Sequence, residues 1–225
     1  CVRQINPKAE YHFCNETLRQ PFYQGTWRYD GCRKHRIFAS SCAYPVKGFH
    51  YLLEAFGQIV KTYPDATLAV PGKSFLTASK LRRTNYQKYL AALAGRYGVE
   101  DKIEFLGSLS AEEMKQAFLD ANVFVLPSTI ENSPNSLGEA MLLGAPCVAA
   151  DVGGVTTMLR HGLEGEVYPS AAPYMLAFYV ETIFARGEAA EAMGAAARAH
   201  AGVTHNPEKN LADLLEIYKS LATEG

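Results

Sequence analysis

The sequence predicts an α/β fold, an open parallel sheet with helices on both faces and a helical C-terminal region, and three observations carry that prediction. From Arg36 onward, short apolar runs of strand length alternate with longer amphipathic stretches, the pattern that sets strands side by side with helices in the crossovers. One run, Val123-Phe124-Val125-Leu126, is apolar throughout, as a strand buried on both faces must be. Beyond Ala171 the strand-like runs give way to Ala-rich helical sequence.

The elements follow in order. Residues 1–35 are rich in aromatic and charged side chains without a sustained period, among them Tyr11-His12-Phe13, Pro21-Phe22-Tyr23 and Trp27, and read as an interdomain linker with room for one helix. The domain proper is then 36–225. Strands are expected at 36–41, 67–70, 103–105, 123–126 and 147–150, with helices at 49–63, 85–97, 111–119 and 136–143. In the first helix Leu52, Leu53, Ala55, Phe56, Ile59 and Val60 recur at helical spacing, so one face packs on the sheet, and Pro64-Asp65 marks its end. Ser110 with Glu113 forms a capping box that fixes the start of a later helix. Pro207 opens a last helix carrying Leu211, Leu214, Leu215 and Tyr218.

Composition narrows the class of partner. A hydrophobic share of 48% over 225 residues supplies a full core. Lys and Arg total 22 against 23 Asp and Glu, so no excess of positive charge exists to hold a nucleic acid or an anionic membrane. No apolar run is long enough to cross a bilayer, and the signal-peptide order is absent, so a cytoplasmic protein without a transmembrane segment is expected. The five cysteines form an odd set without a C-x-x-C pair, which argues against a disulfide framework and against zinc; Cys147 reads as a small core residue. The chain opens at Cys1 without a methionine, which predicts an internal fragment with sequence missing upstream.

In open parallel sheets ligands bind at the carboxyl ends of the strands, so the segments after the strands carry the chemistry. After the Val123 strand comes P-S-T-I-E-N-S-P-N-S-L-G-E-A, residues 127–140, a polar loop running into a helix with a carboxylate at each end. Backbone N–H groups of Asn135, Ser136 and Leu137 open that helix and suit a phosphate, and Pro134 is tolerated where a helix start needs no N–H. The helix dipole contributes only about 0.3–2 kcal/mol toward an anion, so a cation must assist. Glu139, one turn in, suits ribose hydroxyls and Glu131 suits a sugar beyond the phosphates, so the stretch fits a nucleotide sugar. In Tyr44-Pro45-Val46-Lys47-Gly48, after the first strand, Lys47 is placed to neutralise a diphosphate. Gly72-Lys73-Ser74 is not a phosphate-binding P-loop, because Thr67 stands where the first glycine of that motif belongs. No G-x-G-x-x-G follows the first strand, which argues against a nicotinamide enzyme, and no His or carboxylate has the partner a general base needs.

Residues 131–154, E-N-S-P-N-S-L-G-E-A-M-L-L-G-A-P-C-V-A-A-D-V-G-G, resemble the E-x7-E signature of family 4 GT-B glycosyltransferases. The Gly144-Ala145-Pro146 turn, the Asp151-Val152-Gly153-Gly154 loop and His161-Gly162-Leu163-Glu164-Gly165 follow in that family's order, and the resemblance runs from about Tyr11 to the end. It implies the C-terminal, Rossmann-like, donor-binding domain of a retaining, metal-independent enzyme of two such domains, with a nucleoside-diphosphate sugar as substrate and no further cofactor. The N-terminal acceptor-binding domain would be the missing partner, able to rest on the inner membrane surface, and this half alone would be inactive. The resemblance implies that Glu131 contacts the donor sugar, Glu139 the ribose, and the amides of Asn135, Ser136 and Leu137 the diphosphate. It also implies that Lys47, beside Gly48, stabilises the leaving diphosphate, that Gly72 lets backbone approach the ligand, and that the backbone at Leu109 meets the nucleobase. Lys47 and Glu131 are thus the expected catalytic pair. One departure stands out: Ser41-Cys42 replaces the family's Gly-Arg pair at the first strand end, removing half of the cationic clamp. That departure motivates the alternative, a non-catalytic nucleotide-binding or interaction module of the same fold.

Overall fold

The computed structural model describes residues 2–79 and 83–223; Cys1, on which the expectation of a fragment was placed, lies outside the described residues. Helix α1 (Val2–Ile5) and a 3-10 turn at Gln20–Tyr23 precede the sheet. Then follow β1 (Arg33–Phe38), α2 (Phe49–Thr62), β2 (Thr67–Val70), α3 (Asn85–Tyr97), β3 (Ile103–Phe105), α4 (Ala111–Asp120), β4 (Ala121–Leu126) and α5 (Asn135–Leu143). The second half holds β5 (Cys147–Asp151), α6 (Val155–Met158), β6 (Glu166–Pro169), α7 (Pro173–Arg186), α8 (Ala190–Thr204) and α9 (Pro207–Thr223). All strand pairings are parallel, in the order β3-β2-β1-β4-β5-β6. The chain steps outward from β1 to β3, returns beside β1 as β4, and steps outward the other way, so a crevice opens at the carboxyl ends of β1 and β4.

The strands alternate between two cores because successive side chains point to opposite faces. Ile37, Val123, Val125, Val148 and Ala150 join α2, α3 and α7 on one face. Phe38, Phe124, Leu126, Cys147 and Ala149 join α4, α5 and α8 on the other. Each fully buried Phe or Leu contributes about 1.5–3 kcal/mol, so both helical layers are firmly held. Cys147 is wholly buried, and burial pushes its thiol pKa up, as a packing residue requires. The capping box at Ser110 and Glu113 is formed, Asn85–Tyr97 matches its expected bounds, and the last helix starts at Pro207.

Three differences from the sequence expectation have physical reasons. The first strand covers Arg33–Phe38 rather than 36–41, so a domain boundary at 36 falls inside it. Its register against β4 shifts between Arg33 and Ile37, and His35 takes φ 54° with its N–H bonded to Asn122 Oδ1 at 3.1 Å; this bulge conceals the strand start behind exposed charges. Strand β6 was not foreseen, because E-V-Y-P is short and pairs only with β5 at the sheet edge. Part of the first 35 residues packs into the domain: Phe22 and Trp27 are buried, and Trp27 Nε1 donates to the Ala121 carbonyl at 2.7 Å. On α9, Leu211, Leu214, Leu215 and Tyr218 remain exposed.

Candidate active site

The crevice is built by three loops that follow β1, β4 and β5. After β1, a 3-10 turn at Pro45–Lys47 ends at Gly48, whose φ of 67° closes it into α2. A Cβ at Gly48 would lie 1.7 Å from the Pro127 carbonyl oxygen, so only glycine lets this loop touch the loop after β4. Thr129 N–H donates to the Val46 carbonyl at 2.8 Å and ties the two together. The third loop closes in the same way: a Cβ on Gly153 would stand 1.6 Å from the Glu131 carbonyl oxygen, and one on Gly154 2.0 Å from that of Asn132.

This packing places Lys47 and Glu131 together. Lys47 Nζ lies 2.7 Å from Glu131 Oε1, and Ser128 Oγ donates to the same oxygen at 2.6 Å. Beside them Asn135 and Ser136 open α5, and among the described residues their amides have no partner. With Glu16, Lys47 and Glu131 these residues line a hollow of about 430 Å³. Leu137 departs from expectation, since its N–H donates to the Pro134 carbonyl at 2.9 Å and its side chain is buried in the core. The reason is local: proline at the cap position has no side-chain acceptor, so its carbonyl closes the first turn. Two open amides, not three, face the hollow.

Glu139, one turn into α5, is nearly buried and already has a partner. Arg19 Nε and Nη2 reach its two oxygens at 2.6 and 2.8 Å. This bond, above all, raises the Arg19 pKa further, so the guanidinium is a permanent cation. Each carboxylate oxygen keeps acceptor capacity for a hydroxyl.

A second hollow of about 430 Å³ lies beyond β1, β2 and β3 and contains Gly72 and Leu109. Gly72 N–H donates to the Gly107 carbonyl at 2.7 Å, and both glycines take positive φ, 111° and 71°. Ser41 and Cys42 line it at the end of β1, and Lys73, just after β2, is the cation among its described lining residues. Burial pushes the Cys42 thiol up to about 11, so at neutral pH it is a protonated packing group and not a nucleophile.

The structure therefore gathers Lys47, Gly48, Glu131, Asn135 and Ser136 at one hollow, Gly72 and Leu109 at the other, and Glu139 nearby on α5. Sequence reasoning missed Glu16, Arg19 and Ser128. Ser128 sits in the quoted loop and was readable as a polar neighbour, whereas the aperiodic segment holding Glu16 and Arg19 gives no signal of where it folds.

A doubly wound parallel sheet with charged loops and an open helix N-terminus at its switch point defines a Rossmann-like α/β domain. Residues 33–200 match the family described as Glycosyl transferases group 1, and the chain belongs to that family. It is 29% identical over 178 residues to D-inositol 3-phosphate glycosyltransferase of Corynebacterium urealyticum, covering 79% of this chain and 41% of that protein. Sucrose-phosphate synthase from Thermosynechococcus elongatus superposes over 100% of this chain and 56% of its own, with TM-score 0.82 and 21% identity. Anabaena HepE in complex with UDP-glucose covers 85% of this chain and 49% of its own, with TM-score 0.70 and 24% identity. The chain thus spans 41–56% of these proteins. These likenesses to solved structures establish the GT-B glycosyltransferase fold. Among the described residues no helix is long and apolar enough to cross a membrane.

Proposed function

We infer that this chain is the C-terminal, donor-binding half of a retaining glycosyltransferase that moves a sugar from a nucleoside diphosphate to a carbohydrate or lipid-linked acceptor. The observation that carries the reading is the convergence of Lys47, Glu131 and the open amides of Asn135 and Ser136 at the switch point of the sheet. The amides and the α5 dipole bind the diphosphate, Lys47 neutralises it, Glu131 accepts from sugar hydroxyls, and Glu139 accepts from the ribose. The backbone near Leu109 and Gly72 takes the base in the second hollow. The UDP-glucose bound by the HepE structure is of the same substrate class.

In the proposed reaction the anomeric carbon–oxygen bond to the phosphate breaks and its electron pair leaves with the diphosphate. The acceptor oxygen bonds to the same face of that carbon, and its proton passes to the departing phosphate oxygen. No protein base is required in this scheme. The acceptor is held by a further domain outside this chain, and no metal is needed because the cations are side chains.

The test is calorimetric titration of the chain with UDP, GDP, ADP and their sugar conjugates, beside Lys47→Ala and Glu139→Ala. Saturable binding of one nucleotide at about micromolar to millimolar Kd, weakened in both variants, supports the donor site and identifies its base. Absence of binding in the wild type sinks it. Binding by the full-length protein without any transfer would favour the non-catalytic module instead.

A further inference from the structure

The segment 16–23 is laid across α5 by contacts that depend on the absence of a side chain at Gly138. A Cβ there would meet His205 Nε2 at 2.7 Å and Leu18 Cδ1 at 2.8 Å. In the space left, His205 Nδ1 donates to the Glu16 carbonyl at 2.8 Å, and Tyr23 OH donates to the His205 carbonyl at 2.6 Å while accepting from Leu18 N–H at 3.0 Å. Phe22 is buried edge-on against Phe118, with ring centroids 5.7 Å apart, and the Arg19 guanidinium stacks 4.8 Å from the Phe22 centroid. Arg19 is therefore delivered to Glu139 by an anchored segment and is not a loose surface chain.

The place it is delivered to is α5, one turn behind the open amides. Glu139 lies four residues after Asn135, on the same face and about 6 Å along the axis, and helical side chains lean toward the N-terminus. Arg19 bonds its carboxylate through Nε and Nη2 only; among the described residues Nη1 has no partner, and the side chain is 45% exposed. Glu16, three residues earlier, lines the same hollow as Lys47, Asn135 and Ser136. Among the described residues lining that hollow Lys47 is the one cation, and it is already paired with Glu131; the end of β1 offers Ser41 and Cys42, which line the other hollow together with Lys73.

We propose that Arg19 is a nucleotide-binding residue: one edge of its guanidinium holds Glu139 toward the ribose, and the free Nη1 edge binds a phosphate oxygen of a nucleoside diphosphate seated on the Asn135 and Ser136 amides. The planar fork of arginine suits this double duty, whereas a lysine ammonium offers one point charge. The proposal rests on the donor-site reading above and adds to it the cation that the β1 end lacks.

The test compares wild type, Arg19→Lys and Arg19→Gln, each first checked for folding by thermal melting, in titrations with the diphosphate of the preferred base and with its phosphate-free nucleoside. Arg19→Gln is expected to weaken the diphosphate about tenfold more than it weakens the nucleoside, whose smaller loss reports the released Glu139, and Arg19→Lys is expected to fall between. The diphosphate should also lose part of its salt dependence in Arg19→Gln. Equal loss for both ligands would make Arg19 a structural clamp and overturn the proposal, and tighter binding in Arg19→Gln would mark it as a plug. Should Arg19→Gln fail to fold, Arg19→Lys decides the matter: a several-fold loss confined to the diphosphate supports the proposal, and wild-type affinity for both ligands overturns it. A wild type that binds no nucleotide sinks the donor-site reading itself, whereas unchanged binding in the variants sinks only the role of Arg19.

Discussion

The two sides of the crevice use glycine in opposite ways. On the side built from the loops after β1, β4 and β5, Gly48, Gly153 and Gly154 are pressed against carbonyl oxygens, with 1.6–2.0 Å left for a Cβ. On the side built from β2 and β3, Gly72 and Gly107 take positive φ, but a Cβ on either meets nothing within 4 Å. The first side is stitched backbone to backbone and holds Lys47 and Glu131 at a fixed separation. The second is open and needs glycine only for its turn. A charge-stabilising site demands such fixed geometry, whereas a flat base held by backbone groups tolerates an open edge.

The largest expected effect breaks the stitched side. Gly153→Ala combines overlap with the Glu131 carbonyl and a positive φ of 53°, and should cost at least about 3 kcal/mol in urea denaturation. A cost near zero would show that the loops yield and that the contrast is false. Next come the two carboxylates: Glu139→Ala should weaken all nucleotides with an intact ribose about tenfold, whereas Glu131→Ala should weaken the sugar nucleotide by a similar factor and leave the free diphosphate nearly unchanged. Equal effects of both variants on both ligands would refute that division of labour. On the open side, Gly72→Ala meets only the strain of φ 111° and should cost about 1–2 kcal/mol, less than Gly153→Ala in the same assay.

The smallest effect concerns acid. Glu164 is fully buried; burial pushes its pKa up, but hydrogen bonds from Arg160 and His200 outweigh it and hold the carboxyl below the ordinary 4.5. With the folded pKa depressed, its stabilisation is complete above 4.5 and is lost as pH falls through the folded value. The Tm difference between wild type and Glu164→Gln should therefore narrow as the pH is lowered from neutral through that window. A difference that stays constant or widens would show that the ionised carboxylate does not stabilise this corner.

What was legible follows from periodicity and local chemistry. Val123 to Leu126 announced a doubly buried strand, and the loop after it announced the start of a helix, because the residues that open a helix are read from a few consecutive positions. The Lys47–Glu131 pair was half legible: each was identified, but their contact depends on β1 and β4 lying side by side, which spacing alone does not state. Arg19 was not legible, since it meets Glu139 across 120 positions of chain from a segment with no period. The bulge at His35 hid the start of β1, because a residue in left-handed backbone breaks the alternation on which strand reading depends. The bond from the Leu137 N–H to the Pro134 carbonyl was not read, although the absence of a side-chain acceptor at Pro134 is visible in the sequence.

The gap at Gly138 joins two parts of the chain that are far apart in order: the segment that carries Glu16 and Arg19, and the end of α8 at His205. Both rest on the helix whose first amides line the Lys47 hollow. A single absent methyl group at Gly138 thereby lets residues from the start and from near the end of the sequence share one seat on α5.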